Sequence, residues 1–242
     1  MRAALSTFSP TKLFKQKKMQ ADIRRNIERI SATLPSGVTL IAVSKYHPVE
    51  AIEEAYCAGQ RHFGESKAQD LRIKQQTLPN DIYWHFIGHL QSNKIKYIAP
   101  YIHLIHSIDS LRLLQEVDRQ GAKVGRTIDC LLQIHIAREE TKFGFTPDEC
   151  RAMLDAGEWR SLPNIRIRGL MCMASNTDNN EQIKEEFHAV KELFDEIRAK
   201  HFSCESTFDT LSAGMSDDYA IAIEEGSTHI RIGSDIFGPP QK

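Results

Sequence analysis

No stretch of this chain approaches the roughly 18 consecutive apolar residues that a membrane-spanning helix needs. An excess of one charge is missing too. The 31 Lys+Arg stand against 32 Asp+Glu, a formal net charge of -1, which argues against coating nucleic acid or an anionic membrane. The five cysteines (Cys57, Cys130, Cys150, Cys172 and Cys204) are odd in number, widely spaced and without a C-x-x-C pair. That excludes a disulfide framework and a zinc ribbon, and makes a reducing compartment, the cytoplasm, the expected home. No Pro/Gly/Ser-rich linker and no second block of composition divides the 242 residues. What is present is the makeup of an ordinary soluble globular protein, 41% hydrophobic and 26% charged. One domain with a sizeable core, and a monomer, is the expectation.

Acids are absent from the first 21 residues, which carry Arg2, Lys12, Lys15, Lys17 and Lys18 among several Ser and Thr. An organellar transit peptide has that character, but a disordered leader over residues 1–18 is the plainer reading, and no apolar h-region marks a secretory signal. Ten histidines invite a search for metal ligands. His85 and His89 stand four apart, and His103 and His106 three apart. Both pairs lie in or beside strand-like segments, where their side chains diverge, so core or site-rim positions are expected instead.

From about residue 19 the pattern alternates. Ile23, Ile27, Ile30 and Leu34 at helical spacing predict an opening amphipathic helix, and Leu40–Val43 reads as a buried parallel strand. Pro48 opens the next helix and Gly59 closes it. Strand-like runs recur at Arg61–Gly64, Tyr83–Gly88, Ile102–Ser107, Ile128–Ile136, Ile165–Met171, Phe208–Ser212 and His229–Gly233, with helical stretches between them. The last strand leaves no room for an eighth outer helix, a place the opening helix can take. No G-x-G-x-x-G follows the first strand, which disfavours an open dinucleotide-binding sheet. The fold expected is α/β: a single (β/α)8 barrel over residues 19–242, with an extra N-terminal helix.

Active sites of such barrels form at the carboxyl ends of the strands. Lys45 directly follows an apolar strand, which predicts a packed stem and a partly desolvated amine able to attack a carbonyl. Taken alone, a lysine snorkelling to solvent is the safer reading. At the other end of the chain, Leu211-Ser212-Ala213-Gly214-Met215-Ser216 leads into a helix at Asp217-Asp218-Tyr219, and Arg231-Ile232-Gly233-Ser234 repeats that chemistry. Loops after strands seven and eight are the recurrent phosphate site of these barrels. Ordinary turn chemistry also explains Gly and Ser there, and Asp217-Asp218 must face away if phosphate binds. A reactive lysine facing a phosphate cup suggests pyridoxal 5'-phosphate held as a Schiff base. Spacing alone also fits a barrel with a phosphorylated sugar substrate and a catalytic Lys45.

Six stretches together resemble the pyridoxal-phosphate homeostasis protein family (YggS/PROSC type): Ala42–Lys45, Phe63–Ser66, Trp84–Lys94, Gly169–Met171, Leu211–Asp218 and Arg231–Ser234. The resemblance runs from about residue 20 to Gly238, and Trp84–Lys94 and Leu211–Asp218 are its most specific parts. It implies a barrel of the alanine-racemase N-terminal-domain type. It also implies Lys45 as the Schiff-base lysine, Ser216 with the Gly233 and Ser234 amides on the phosphate, and Arg231 facing the pyridine nitrogen. Met171 and Met215 would line the ring. The family usually has Asn where this chain has Ser66, a shorter candidate for the same contact.

The role implied is carrying the cofactor in intracellular homeostasis, with apo-enzymes as possible recipients and no catalytic residue of its own. An amino-acid racemase is the alternative. Racemisation needs a base on each face of the α-carbon, and each positioned base is worth about 10²–10⁴-fold in rate. Lys45 supplies one. In racemases of this fold the other is a tyrosine from the partner's second domain, a domain expected to be missing after the eighth strand. His85 or His89 would have to substitute.

Overall fold

Short apolar strands flanked by amphipathic helices bury both faces of a parallel sheet when helices cover one side and the sheet closes on itself. The computed structural model, which describes residues 23–136 and 143–239, has this architecture. Among the described residues the strands form a closed barrel in sequence order. They are β1 (Thr39–Val43), β2 (His62–Glu65), β3 (Tyr83–Phe86), β4 (Leu104–Ile108), β5 (Ile128–Ile134), β6 (Ile165–Cys172), β7 (Thr210–Ser212) and β8 (His229–Ile232). Closure comes from β1 pairing in parallel with β8, Leu40 opposite Ile230 and Ala42 opposite Ile232.

The helices are α1 (23–31), α2 (Val49–Cys57), α3 (Ala68–Thr77), α4 (Ile95–Ile98), α5 (Leu111–Val124), α6 (Pro147–Ala156), α7 (Asn180–His201), α8 (Tyr219–Glu224) and α9 (Ser234–Phe237). The opening helix takes the expected place in the outer ring. It buries Ile23, Ile27 and Ile30, while Asn26 donates to the Ile236 carbonyl at 3.1 Å and Arg24 to the Cys57 carbonyl at 3.1 Å. The leader expected over residues 1–18 lies outside the described residues.

Several strand ends shift by one or two residues from the sequence expectation, and at two boundaries the local reason is visible. Strand β7 starts at Thr210 rather than Phe208, because Phe208 stacks on Phe194 and Phe202 at ring distances of 4.8 and 4.4 Å. Helix α8 starts at Tyr219 rather than Asp217, because Met215 N–H donates to the Asp218 carboxylate at 2.5 Å and closes a turn there. One element was not anticipated: α9 makes a single turn directly after β8 and buries Ile236. No helix among the described residues is long and apolar enough to cross a membrane, and all five cysteines are free.

Candidate functional site

The main apolar core lies between strands and helices; the barrel interior holds a smaller one of Leu104, Leu131 and Met171, with Met173 packed on it. The rest of that interior is polar. Arg231 Nη1 donates to Ser212 Oγ at 2.7 Å, and Ser212 Oγ lies 3.0 Å from His106 Nδ1. His106 Nε2 is 2.9 Å from His85 Nδ1, and His85 Nε2 is 3.0 Å from His62 Nδ1. Strands β4 and β7 are not neighbours in the barrel, so the His106–Ser212 contact crosses its interior. An arginine only donates, which leaves Ser212 free either to donate to His106 Nδ1 or to accept from it; in the first arrangement each imidazole in turn donates through Nε2. Burial holds His85 and His106 neutral, well below the ordinary histidine range, helped for His106 by the nearby Arg231 charge.

At the upper end of this chain the carboxyl ends of β1, β7 and β8 frame a cavity of about 290 Å³. Its polar wall includes Lys45, Ser216, Arg231, Gly233 and Ser234, and its apolar wall Val43, Ile87, Met173 and Met215. Arg231 is almost wholly buried, held by Ser212 and by the Cys172 carbonyl, which its Nη2 reaches at 2.8 Å. Ser234 Oγ donates to Ser216 Oγ at 3.0 Å, so the loop after β7 meets the start of α9 at the mouth. Helices α8 and α9 both begin at this rim, and the first N–H groups of a helix have no partner inside it.

Two glycines allow these loops to sit so close. Gly214 has φ +93°, and a Cβ there would lie 2.8 Å from Tyr219 Cα. A Cβ on Gly233 would come within 3.3 Å of the Val43 carbonyl oxygen. Asp218 is buried and tied to the Met215 amide, and burial pushes its carboxyl up. Among the described residues, exposed Asp217 alone adds an acid to the cavity wall.

Lys45 lines the cavity, but the desolvated amine expected from the sequence is not found: the residue is exposed. The reason lies in its neighbours. Ser44 turns inward and donates to Glu65 Oε1 at 2.6 Å, and the chain then leaves the barrel through Tyr46, whose φ of +67° is left-handed. A non-glycine residue held in that region costs about 1–3 kcal/mol and tends to mark functional sites. Beneath the turn, buried Lys74 of α3 donates to Glu65 Oε1 at 2.7 Å and to the Ser44 carbonyl at 3.0 Å. Burial pushes the Glu65 carboxyl up, while Lys74 and Ser44 pull it back. This buried pair fixes the floor under Lys45.

Two of the expected site residues lie elsewhere. Met171 packs inside the barrel on Leu104 and Leu131, and Met173, two residues further along the same strand exit, reaches the cavity instead. Ser66 lines a neighbouring cleft with His89 and Lys94, held away by the backbone crossing at Gly88, where a Cβ would lie 2.4 Å from the Ser66 carbonyl oxygen. His89 stacks on Phe143 at 3.8 Å and pairs with Asp109, and His85 is inside the barrel, so neither borders the cavity. His47, not anticipated, does; it stacks on Phe237 at 5.0 Å, and burial lowers its pKa.

Residues 20–240 match the family described as alanine racemase, N-terminal domain. A pyridoxal phosphate homeostasis protein of Pasteurella multocida is 39% identical over 227 residues, covering 90% of this chain and 94% of that one. The chain belongs to the pyridoxal phosphate homeostasis protein family. Among solved structures of similar chains is PipY of Synechococcus elongatus with PLP bound, 36% identical, with a TM-score of 0.82 over 89% of this chain and 100% of that chain. An alanine racemase of Clostridium difficile superposes with a TM-score of 0.72 over 92% of this chain and 58% of that one. At 13% identity, that likeness speaks for the fold alone.

Proposed function

We propose that this chain binds pyridoxal 5'-phosphate at the β1/β7/β8 mouth, holds it covalently through Lys45 and serves as an intracellular carrier in cofactor homeostasis. The observation that carries the reading is the cavity itself, with one amine, an apolar slot, a buried guanidinium and two hydroxyls on its walls. Its volume of about 290 Å³ is at the small end of the roughly 300–1,000 Å³ typical of small-molecule sites. The residues present fit the cofactor. Ser216, Ser234 and the amides that Gly233 leaves uncrowded suit a phosphate, and Val43, Ile87, Met173 and Met215 suit a flat ring.

When bound, the cofactor supplies an aldehyde, with which the Lys45 amine forms a Schiff base and releases water. The protein does not bury Lys45, so its nucleophilicity comes from position on a rigid turn and not from desolvation. Arg231 faces the ring-nitrogen end of the slot in this reading. A guanidinium stays charged, so it disfavours a proton on that nitrogen and weakens the ring as an electron sink.

This weighs against catalysis. A racemase needs a second base opposite Lys45, and the histidines considered for it do not border the cavity. His47 does, but it is stacked on Phe237 and shares the β1 exit with Lys45. The Pasteurella multocida homeostasis protein matches over nearly the full length of both chains. The test is a titration of the purified chain with pyridoxal 5'-phosphate, followed by absorbance, beside a D/L-alanine racemisation assay on the same sample. Saturable binding of one cofactor per chain without turnover supports the carrier. Turnover at a rate typical of enzymes, about 1 s⁻¹ or faster, would establish the racemase instead.

A further inference from the structure

The lower, N-terminal end of the barrel carries a group of side chains that the proposed function does not use. His62 opens β2, His85 lies on β3 and His103 immediately precedes β4, and one ring nitrogen from each falls within 4.8 Å of the others. We infer that His62, His85 and His103 form a binding site for a transition-metal ion of the zinc class at the barrel's N-terminal end.

Three imidazoles suit zinc, copper or nickel far better than magnesium or calcium. With metal–nitrogen bonds of about 2.0–2.1 Å, tetrahedral ligand atoms sit about 3.3–3.4 Å apart. His62 Nδ1 and His85 Nε2, at 3.0 Å, are already close to that spacing. His103 has to close by about 1–1.5 Å. It is only half-buried, at the entrance to a strand, so its ring has room to move. Tyr83 stacks on His62 at 4.7 Å and meets the His103 ring at a tilt at 4.8 Å, so it packs against both rings. The half-buried pair opens to solvent, which provides an entry path and a fourth position for water.

The rings are also in the right protonation state. Burial lowers the pKa of each, helped by neighbouring histidines at His62 and His85 and by Arg168 and Arg126 at His103, so all three are neutral near pH 7. Coordination at His85 Nε2 requires its proton on Nδ1, which then donates to His106 Nε2. His106 in turn donates through Nδ1 to Ser212, whose oxygen has lone pairs for both His106 and Arg231. Every ring stays neutral, so the ion enters without releasing a proton from this chain of imidazoles. The buried links of the chain thus supply the outer-shell partners that metal-bound histidines usually have.

The experiment uses the full chain stripped with a chelator and titrated with Zn²⁺ by calorimetry, and with Co²⁺ as a coloured substitute. One ion per chain, with the intense visible absorption of four-coordinate Co²⁺, is expected. His62→Gln and His103→Gln, both at half-buried positions that spare the core, should each weaken Zn²⁺ by more than the roughly 10–100-fold that losing an outer-shell partner costs. His188→Gln, which removes the surface histidine beside Glu192 and Glu225, should change nothing. Absence of stoichiometric binding overturns the site. So does binding that survives in the His62 and His103 variants or disappears with His188. The readout needs no pyridoxal phosphate and is independent of the cofactor proposal.

Discussion

Ser234 donates its hydroxyl to Ser216 at 3.0 Å, so residues 18 apart in sequence share one hydrogen bond at the cavity mouth. Each is a natural donor to a phosphate oxygen, and hydrogen bonds to charged groups are worth about 1.5–3 kcal/mol. Ser216→Ala should therefore weaken pyridoxal-phosphate binding about 10- to 100-fold in equilibrium titration. Because the two hydroxyls touch, the double variant with Ser234→Ala should depart from additivity by at least about 0.5 kcal/mol. Wild-type affinity in Ser216→Ala would place the phosphate elsewhere.

The loop that carries Ser216 depends on Gly214. Its φ of +93° and the 2.8 Å gap to Tyr219 Cα leave no space for a methyl group, and the obstacle is backbone. Gly214→Ala should lower stability by about 1–3 kcal/mol, read as a shift in urea midpoint, and weaken cofactor binding in the same protein. An unchanged midpoint would mean that the loop is free to rearrange.

Much of the architecture was legible in the sequence because its signals are local. Apolar runs such as Leu40–Val43 and the spacing of Ile23, Ile27 and Ile30 report burial directly, and the Gly-Ser loops after the last two strands line the cavity mouth, where the sequence placed the candidate site. The errors were about direction. Met171 and Met173 both point inward in a two-residue period, and only their depth along the barrel separates core from cavity wall. Ser66 follows Glu65 at a strand end, but the backbone at Gly88 turns it to a different cleft. The core placement of His85 and His106 was legible, but their linkage into one chain was not, since β2, β3, β4, β7 and β8 each contribute one member and no local spacing links them.

That chain makes stability depend on pH. Unfolded histidines titrate near 6.5, whereas burial keeps His85 and His106 neutral well below that, and His62 and His229 down to about 4. Below 6.5 the unfolded chain therefore binds more protons than the folded one, so stability is fully present above this value and falls as pH drops toward about 4. Each proton of difference contributes up to about 1.4 kcal/mol per pH unit. Glu65 acts in the opposite sense, since its raised carboxyl favours the fold at low pH, and it offsets part of the slope. Urea midpoints of metal-free protein, measured in steps from about pH 7 to about pH 4, should fall. A flat profile would show that these histidines are protonated in the fold.

Lys74 and Glu65 form the buried pair beneath the Lys45 turn. Lys74→Met strands a buried carboxylate and should cost about 3–5 kcal/mol, whereas Lys74→Met with Glu65→Gln should recover much of the loss. Chemical denaturation of the single and double variants measures both. Equal losses in the two proteins would mean that Lys74 acts through packing and not through charge.

The most direct measurement is to load the chain with pyridoxal 5'-phosphate, reduce it with borohydride and map the modified peptide by mass spectrometry. A single pyridoxyl group on Lys45, absent from Lys45→Ala while non-covalent binding persists through the Ser216–Ser234 cup, is the result expected. A group trapped on Lys74, Lys94 or any other lysine, with Lys45→Ala unaffected, would contradict the assignment of this cavity as the covalent cofactor site.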